Sequence, residues 1–158
     1  MPTTQPKVEK KAFSVRIEAV TPISAPVERA WSVLSDTSAY GSWNPFVKRL
    51  DGQLKPGERI EVMLALEGRK PQKMKPRIVG CEPGRSFEWL GQFGPRGVFD
   101  GRHRFELRPL ADGGCELVHS EVLSGALVPF FRRMLTGPTP DAFVALNEAF
   151  KARVEDGA

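Results

Sequence analysis

From Phe13 to Thr21 apolar and polar residues alternate, with Phe13, Val15, Ile17 and Ala19 set against Ser14, Arg16 and Glu18. That is the period of a strand with one buried face. The period then changes. Val27, Ala30, Trp31 and Leu34 recur at helical spacing, and Ser24-Ala25-Pro26 before them offers a capping serine and a first-turn proline. A second short helix is predicted over residues 37–41, and it ends by Asn44, which Pro45 pushes out of the α region.

From there to Leu123 the pattern is strand and turn. Pro56-Gly57 leads into Ile60, Val62, Leu64 and Leu66; Gly68 to Pro71 leads towards Met74 and Ile78; Glu82-Pro83-Gly84 precedes Phe87, Trp89 and Phe93 on one parity. Over Val98 to Arg108, the residues Phe99, Gly101, His103, Phe105 and Leu107 face one way, and Asp100, Arg102, Arg104, Glu106 and Arg108 the other. Asp112-Gly113-Gly114 signals a hairpin. The returning strand carries Cys115, Leu117, His119, Glu121 and Leu123 on its inward parity.

Ser124 to Pro140 reads as irregular, Gly- and Pro-rich, yet apolar. Thr139-Pro140-Asp141 then opens a helix with Phe143, Leu146, Phe150 and Val154 along one stripe and Asn147 beside them. This order is α+β: a curved antiparallel sheet of about six to seven strands around a long C-terminal helix, with two short helices after the first strand.

Composition narrows the class. A chain of 158 residues with 41% hydrophobic and 27% charged residues builds one folded domain rather than a disordered or fibrous segment. Residues 1–12 are polar and read as a disordered lead-in, leaving 13–155 as a single domain. No secretory signal follows Lys7, Lys10 and Lys11, so cytoplasmic residence is the default. The longest apolar runs are only a few residues, so no stable membrane insertion is expected. Cys81 and Cys115 make no disulfide framework.

The net charge of +4 raises nucleic acid as a partner. The basic residues are scattered, however, and Glu88, Asp100 and Glu106 fall among them on the same strand faces. A cross-paired, solvated surface follows, and no nucleic-acid partner is expected. No feature of the chain sets an oligomeric state.

Ile23-Ser24-Ala25-Pro26 leading into Ala30-Trp31-Ser32-Val33-Leu34, and Tyr40-Gly41-Ser42-Trp43-Asn44-Pro45-Phe46, resemble the helix-grip, START-like superfamily (SRPBCC). Phe99-Asp100-Gly101-Arg102-His103, His119-Ser120-Glu121 and the Asn147 helix look like its bacterial polyketide-cyclase/dehydrase-related branch. The resemblance spans roughly residues 13 to 155 and implies a hydrophobic cavity between sheet and C-terminal helix. It further implies sterol, lipid, hormone or aromatic polyketide ligands, with cyclisation in some members and carriage or sensing in many.

An apolar cavity needs aromatic walls and a few polar groups. Trp89, Phe93, Phe99, Phe105 and Phe143 are candidate walls, with Trp43 and Phe46 near the mouth and His103, His119 and Asn147 as polar candidates. Plain core packing is the competing account of each aromatic residue. His103, His119 and Glu121 share the inward parity of two hairpin strands, so they are the catalytic candidates. A buried carboxylate beside an imidazole suits acid–base work, and the same pair equally serves as a hydrogen-bonded register lock. No HxH or HExxH spacing accompanies them, so neither a metal nor another cofactor is expected.

Three functions remain: a carrier or sensor of a small hydrophobic, ring-containing or lipid-like ligand; a cofactor-independent cyclase, aromatase or dehydratase; and a protein-interaction domain. The last would work through the apolar and basic segment 127–135, which otherwise caps the cavity or meets a membrane surface.

Overall fold

The computed structural model describes residues 4–156. The alternating segments form strands β1 (Pro6–Lys11), β2 (Ser14–Ile23), β3 (Val47–Asp51), β4 (Glu61–Leu64), β5 (Gln72–Met74), β6 (Arg77–Glu82), β7 (Ser86–Gln92), β8 (Asp100–Pro109) and β9 (Cys115–Ser124). The helical period yields α1 (Val27–Leu34), a 3₁₀ turn over Thr37–Ala39, α2 (Tyr40–Trp43), α3 (Val128–Thr136) and α4 (Pro138–Glu155).

Six strands make one antiparallel sheet in the order β1-β2-β9-β8-β7-β6, and β3-β4-β5 make a second. The small sheet is separate because Pro71 and Pro76 flank β5 and cannot donate to a ladder. Backbone bonds still join the two: the Ile60 N–H reaches the Pro76 carbonyl at 3.0 Å and the Ile78 N–H reaches Glu58 at 2.9 Å. The whole curls around α4. Val15, Ile17 and Ala19 from β2 meet Phe143, Leu146, Phe150 and Val154 from α4 in one buried core. Each Val or Leu side chain fully buried there contributes roughly 1.5–3 kcal/mol.

The Asp112-Gly113-Gly114 turn closes the β8–β9 hairpin, with Gly113 at φ 89°, where a side chain would be strained. The charged face of β8 is cross-paired as the alternation suggested. Glu88 on β7 takes Arg102 at 3.3 Å and Arg104 at 3.4 Å across the strands, while Glu106 takes Arg108 at 3.3 Å along β8 itself.

Four expectations change. Residues 6–11 of the expected lead-in form edge strand β1, pairing Val8 with Ile17, while residues 1–3 lie outside the described residues. One partly buried valine and a full backbone ladder hold this strand, a combination that polar composition hides. Phe13 is not on the inner face but in the β1–β2 turn, 61% exposed. Ser24 does not cap α1; its N–H donates instead to Glu155 at 2.9 Å. Finally, most of 124–140 is helical, because Pro129 and Pro138 sit in the first turns of α3 and α4, where no N–H is needed.

Candidate functional site

Between the small sheet, the ends of β7–β9, α3 and the start of α4 lies a cavity of about 350 Å³. Its walls are mainly apolar, with Phe46, Leu64, Leu66, Met74, Phe99 and Leu123 among them. It exists partly because two glycines face each other across adjacent strands. Gly91 and Gly101 are register partners on β7 and β8, and both line the space. A Cβ on Gly91 would stand 2.6 Å from Met74 Cε, and one on Gly101 would stand 3.4 Å from Glu121 Oε2. Side chains at these positions would fill the room that the glycines leave.

Phe46 is aimed by its neighbours. Asn44 ends α2 in extended geometry, and its Oδ1 accepts the N–H groups of Phe46 at 3.0 Å and Val47 at 2.8 Å. This side-chain turn swings the ring into the core against Phe143, at a centroid distance of 5.6 Å.

One acidic group reaches the cavity. Glu121 on β9 stands directly opposite His103 on β8, with Oε2 2.9 Å from His103 Nδ1. Behind it runs a line of buried polar groups. His103 Nε2 lies 2.6 Å from His119 Nε2, and His119 Nδ1 lies 3.1 Å from Asn147 Oδ1. The Asn147 amide nitrogen donates to the Ala19 carbonyl and to Thr21 Oγ1, both at 3.0 Å. Thr21 Oγ1 is 2.7 Å from Thr4 Oγ1, whose hydroxyl donates to the Glu148 carboxylate.

Aromatic rings enclose the two imidazoles. Trp89 stacks on His103 at 4.6 Å and Phe143 on His119 at 3.9 Å with planes 3° apart. Both histidines are fully buried. Burial, reinforced by the neighbouring His103, holds His119 well below the usual imidazole range despite opposing hydrogen bonds to Asn147 and the Phe143 carbonyl. His119 is therefore a neutral imidazole at physiological pH.

The structure thus brings His103, His119, Glu121 and Asn147 into one chain, but only Glu121 of these lines the cavity. Phe46, Phe93 and Phe99 also line it, Phe93 being 75% exposed at the mouth rather than an inner wall. Trp89, Phe105 and Phe143 are core residues packed around the imidazoles. Trp43 stands away from the mouth, against Tyr40 and Phe150. Parity alone does not separate cavity wall from core, because both point inward. The sequence pattern does not single out Leu64, Leu66 and Met74 as lining, although the alternation of Leu64 and Leu66 is visible in it.

The loop between β7 and β8 does join α3 at the mouth. Ala126 N–H donates to the Gly97 carbonyl at 2.9 Å, and Phe131 meets Phe99 edge-on at 5.4 Å. Arg69, Lys70 and Lys73 stand on the opposite rim. Among the described residues no helix is long and apolar enough to cross a membrane.

Residues 14–155 match the model of the family described as polyketide cyclase / dehydrase and lipid transport, and the chain belongs to that family. Similar solved structures include a START superfamily protein from Mycobacterium smegmatis, 19% identical, covering 90% of this chain and 99% of that one with a TM-score of 0.70. The Zhui aromatase/cyclase from a Streptomyces species is 16% identical, with coverages of 90% and 94% and a TM-score of 0.72. Norcoclaurine synthase from Thalictrum flavum is 14% identical, with coverages of 94% and 98% and a TM-score of 0.67. At these identities the likeness establishes the START-like fold. A search of curated proteins finds no match to the chain.

Proposed function

We propose that this member of the polyketide cyclase / dehydrase and lipid transport family is a carrier or sensor that holds a small hydrophobic, ring-containing or lipid-like ligand in its cavity. The observation that carries the reading is the cavity itself: about 350 Å³, with mainly apolar walls and the Glu121 carboxyl on one of them. Such a site shelters a hydrophobic body from water and orients it through a few polar contacts, with Glu121, Gln72, Gln92 and Thr139 available for them. Native mass spectrometry of freshly purified protein, followed by organic extraction, tests this. A discrete retained mass or uptake from a panel of sterols, fatty acids and polyphenols supports it; an empty protein that ignores the panel contradicts it.

A second reading, a cofactor-independent cyclase, aromatase or dehydratase, draws on the contact between Glu121 and His103 at the cavity wall. Under it Glu121 meets the substrate, while His103 and the shielded His119 set its protonation. Glu121→Gln would then abolish turnover while leaving ligand affinity within a few fold. Equal turnover by parent and variant removes this reading.

A further inference from the structure

The buried polar chain has a direction, and the direction fixes a proton count. Its sense is set at Asn147. The Ala19 carbonyl can only accept, so the atom 3.0 Å from it must be the amide nitrogen, which leaves Oδ1 facing His119. His119 Nδ1 must therefore carry the hydrogen that Asn147 Oδ1 accepts.

From His119 the argument runs both ways. Towards the N-terminus, Asn147 donates to Thr21, Thr21 to Thr4, and Thr4 to Glu148, so every hydrogen points at the Glu148 carboxylate. Towards the cavity, a neutral His119 with its hydrogen on Nδ1 has a bare Nε2. Its partner at 2.6 Å, His103 Nε2, must then be the donor. With Nε2 protonated, His103 Nδ1 has two states. Either it also carries hydrogen and donates to a Glu121 carboxylate, or it is bare and accepts hydrogen from a protonated Glu121 Oε2. A neutral His103 beside an ionised Glu121 would set two lone pairs against each other at 2.9 Å.

We infer that Glu121 is a proton-sharing anchor: it holds one proton jointly with His103 and presents Oε1 to the cavity as an acceptor for the hydroxyl group of a neutral, ring-containing ligand. In both proton placements Oε2 is engaged by His103 and Oε1 remains an acceptor. The pair has no net charge, so an ammonium group gains little there for its desolvation. Arg69, Lys70 and Lys73 on the rim further oppose a cationic ligand, although Lys73 is paired with Glu61 at 3.0 Å. A ketone offers Oε1 no hydrogen. At Glu121 the shared proton thus favours alcohol or phenol over both, while donors such as Gln72, Gln92 and Thr139 lie elsewhere on the lining.

This inference rests on the cavity reading, and two measurements keep their failures apart. In the first, calorimetry compares naphthalene-methanol, naphthylmethylammonium and acetylnaphthalene. The alcohol binds wild type about tenfold more tightly than either of the others. Glu121→Gln keeps that order, because its amide donates to His103 Nδ1 and leaves a carbonyl oxygen in the place of Oε1. Glu121→Leu levels the three to within about threefold. Tightest binding of the ammonium by wild type, or an unchanged order in Glu121→Leu, overturns the inference.

Should none of the three bind, it is the cavity reading that falls, and the second measurement still judges the proton count. Imidazole nitrogen shifts in labelled protein distinguish the tautomers, and the chain has only two histidines. His119 is protonated at Nδ1 alone, and His103 at Nε2 with Nδ1 shared. Hydrogen on His119 Nε2 overturns the inference whether or not a probe binds.

Discussion

Glu121 and His103 stand directly opposite each other on β9 and β8, and their side chains touch at 2.9 Å on the wall of the cavity. The carboxyl faces the cavity, while the imidazole lies wholly inside the core among aromatic rings. The carboxyl at the cavity wall is thus hydrogen-bonded from behind to an imidazole that solvent does not reach. That arrangement places the consequences of mutation in two classes, those that unfold the interior and those that alter only the ligand.

Asn147 belongs to the first class. Its removal takes a hydrogen-bond partner from the Ala19 carbonyl and from His119 Nδ1 in one buried region, while the Thr21 hydroxyl keeps Thr4. Asn147→Leu should lower unfolding free energy by about 2 kcal/mol or more, since each unsatisfied buried group costs roughly 1–3 kcal/mol. Chemical denaturation of variant and parent measures the difference. A loss below about 1 kcal/mol would mean that water or side-chain movement satisfies the groups instead.

The low affinity of His119 for a proton sets an acid limit on stability. The folded protein keeps this imidazole neutral, whereas the unfolded chain protonates it near its ordinary value of about 6.5. The unfolded state therefore binds more protons on acidification, so the contribution is complete above that pH and fades as pH falls below it. His119→Gln should show a shallower loss of stability between about pH 6.5 and 5, by up to roughly 1.4 kcal/mol per pH unit. Denaturant titrations across that interval decide the matter; parallel slopes for parent and variant would assign the acid sensitivity elsewhere.

Much of this was readable before the structure, for identifiable reasons. The alternation on β8 and β9 and the glycine turn between them set the register that brings His103 to Glu121, because a two-residue period and a short hairpin leave little freedom. The stripe on α4 likewise located Phe143 and Asn147 inside. The cavity was harder to find. Phe105 and Phe99 share one parity on neighbouring turns of the pleat, yet Phe105 is sealed among Phe87, Trp89 and His119 while Phe99 borders open space. What separates them is the pair of glycines and the separate small sheet, which are tertiary features. The helix α3 was missed because its prolines look like breakers until their first-turn positions are known.

At the mouth, Phe131 is 42% exposed and contacts Phe99 edge-on. Phe131→Ala should change stability by less than about 1.5 kcal/mol, the usual worth of one aromatic pair. If α3 and the β7–β8 loop gate the cavity, the same variant releases a bound apolar ligand several-fold faster. Stopped-flow dissociation of a fluorescent apolar ring compound measures the rate, and an unchanged rate removes the gate from the account.

The most direct test of the cavity as a ligand site fills it from within. A Cβ on Gly101 meets nothing closer than Glu121 Oε2 at 3.4 Å, so Gly101→Val, with its fold checked by circular dichroism, sets its branches in the space beside Glu121. Native mass spectrometry of wild type and Gly101→Val, each exposed to the same sterols, fatty acids and polyphenols, compares their uptake. Retention of a ligand by wild type and a loss of about tenfold or more in the folded variant is the predicted result. Equal uptake by both proteins, or none by wild type, would contradict a function seated in this cavity.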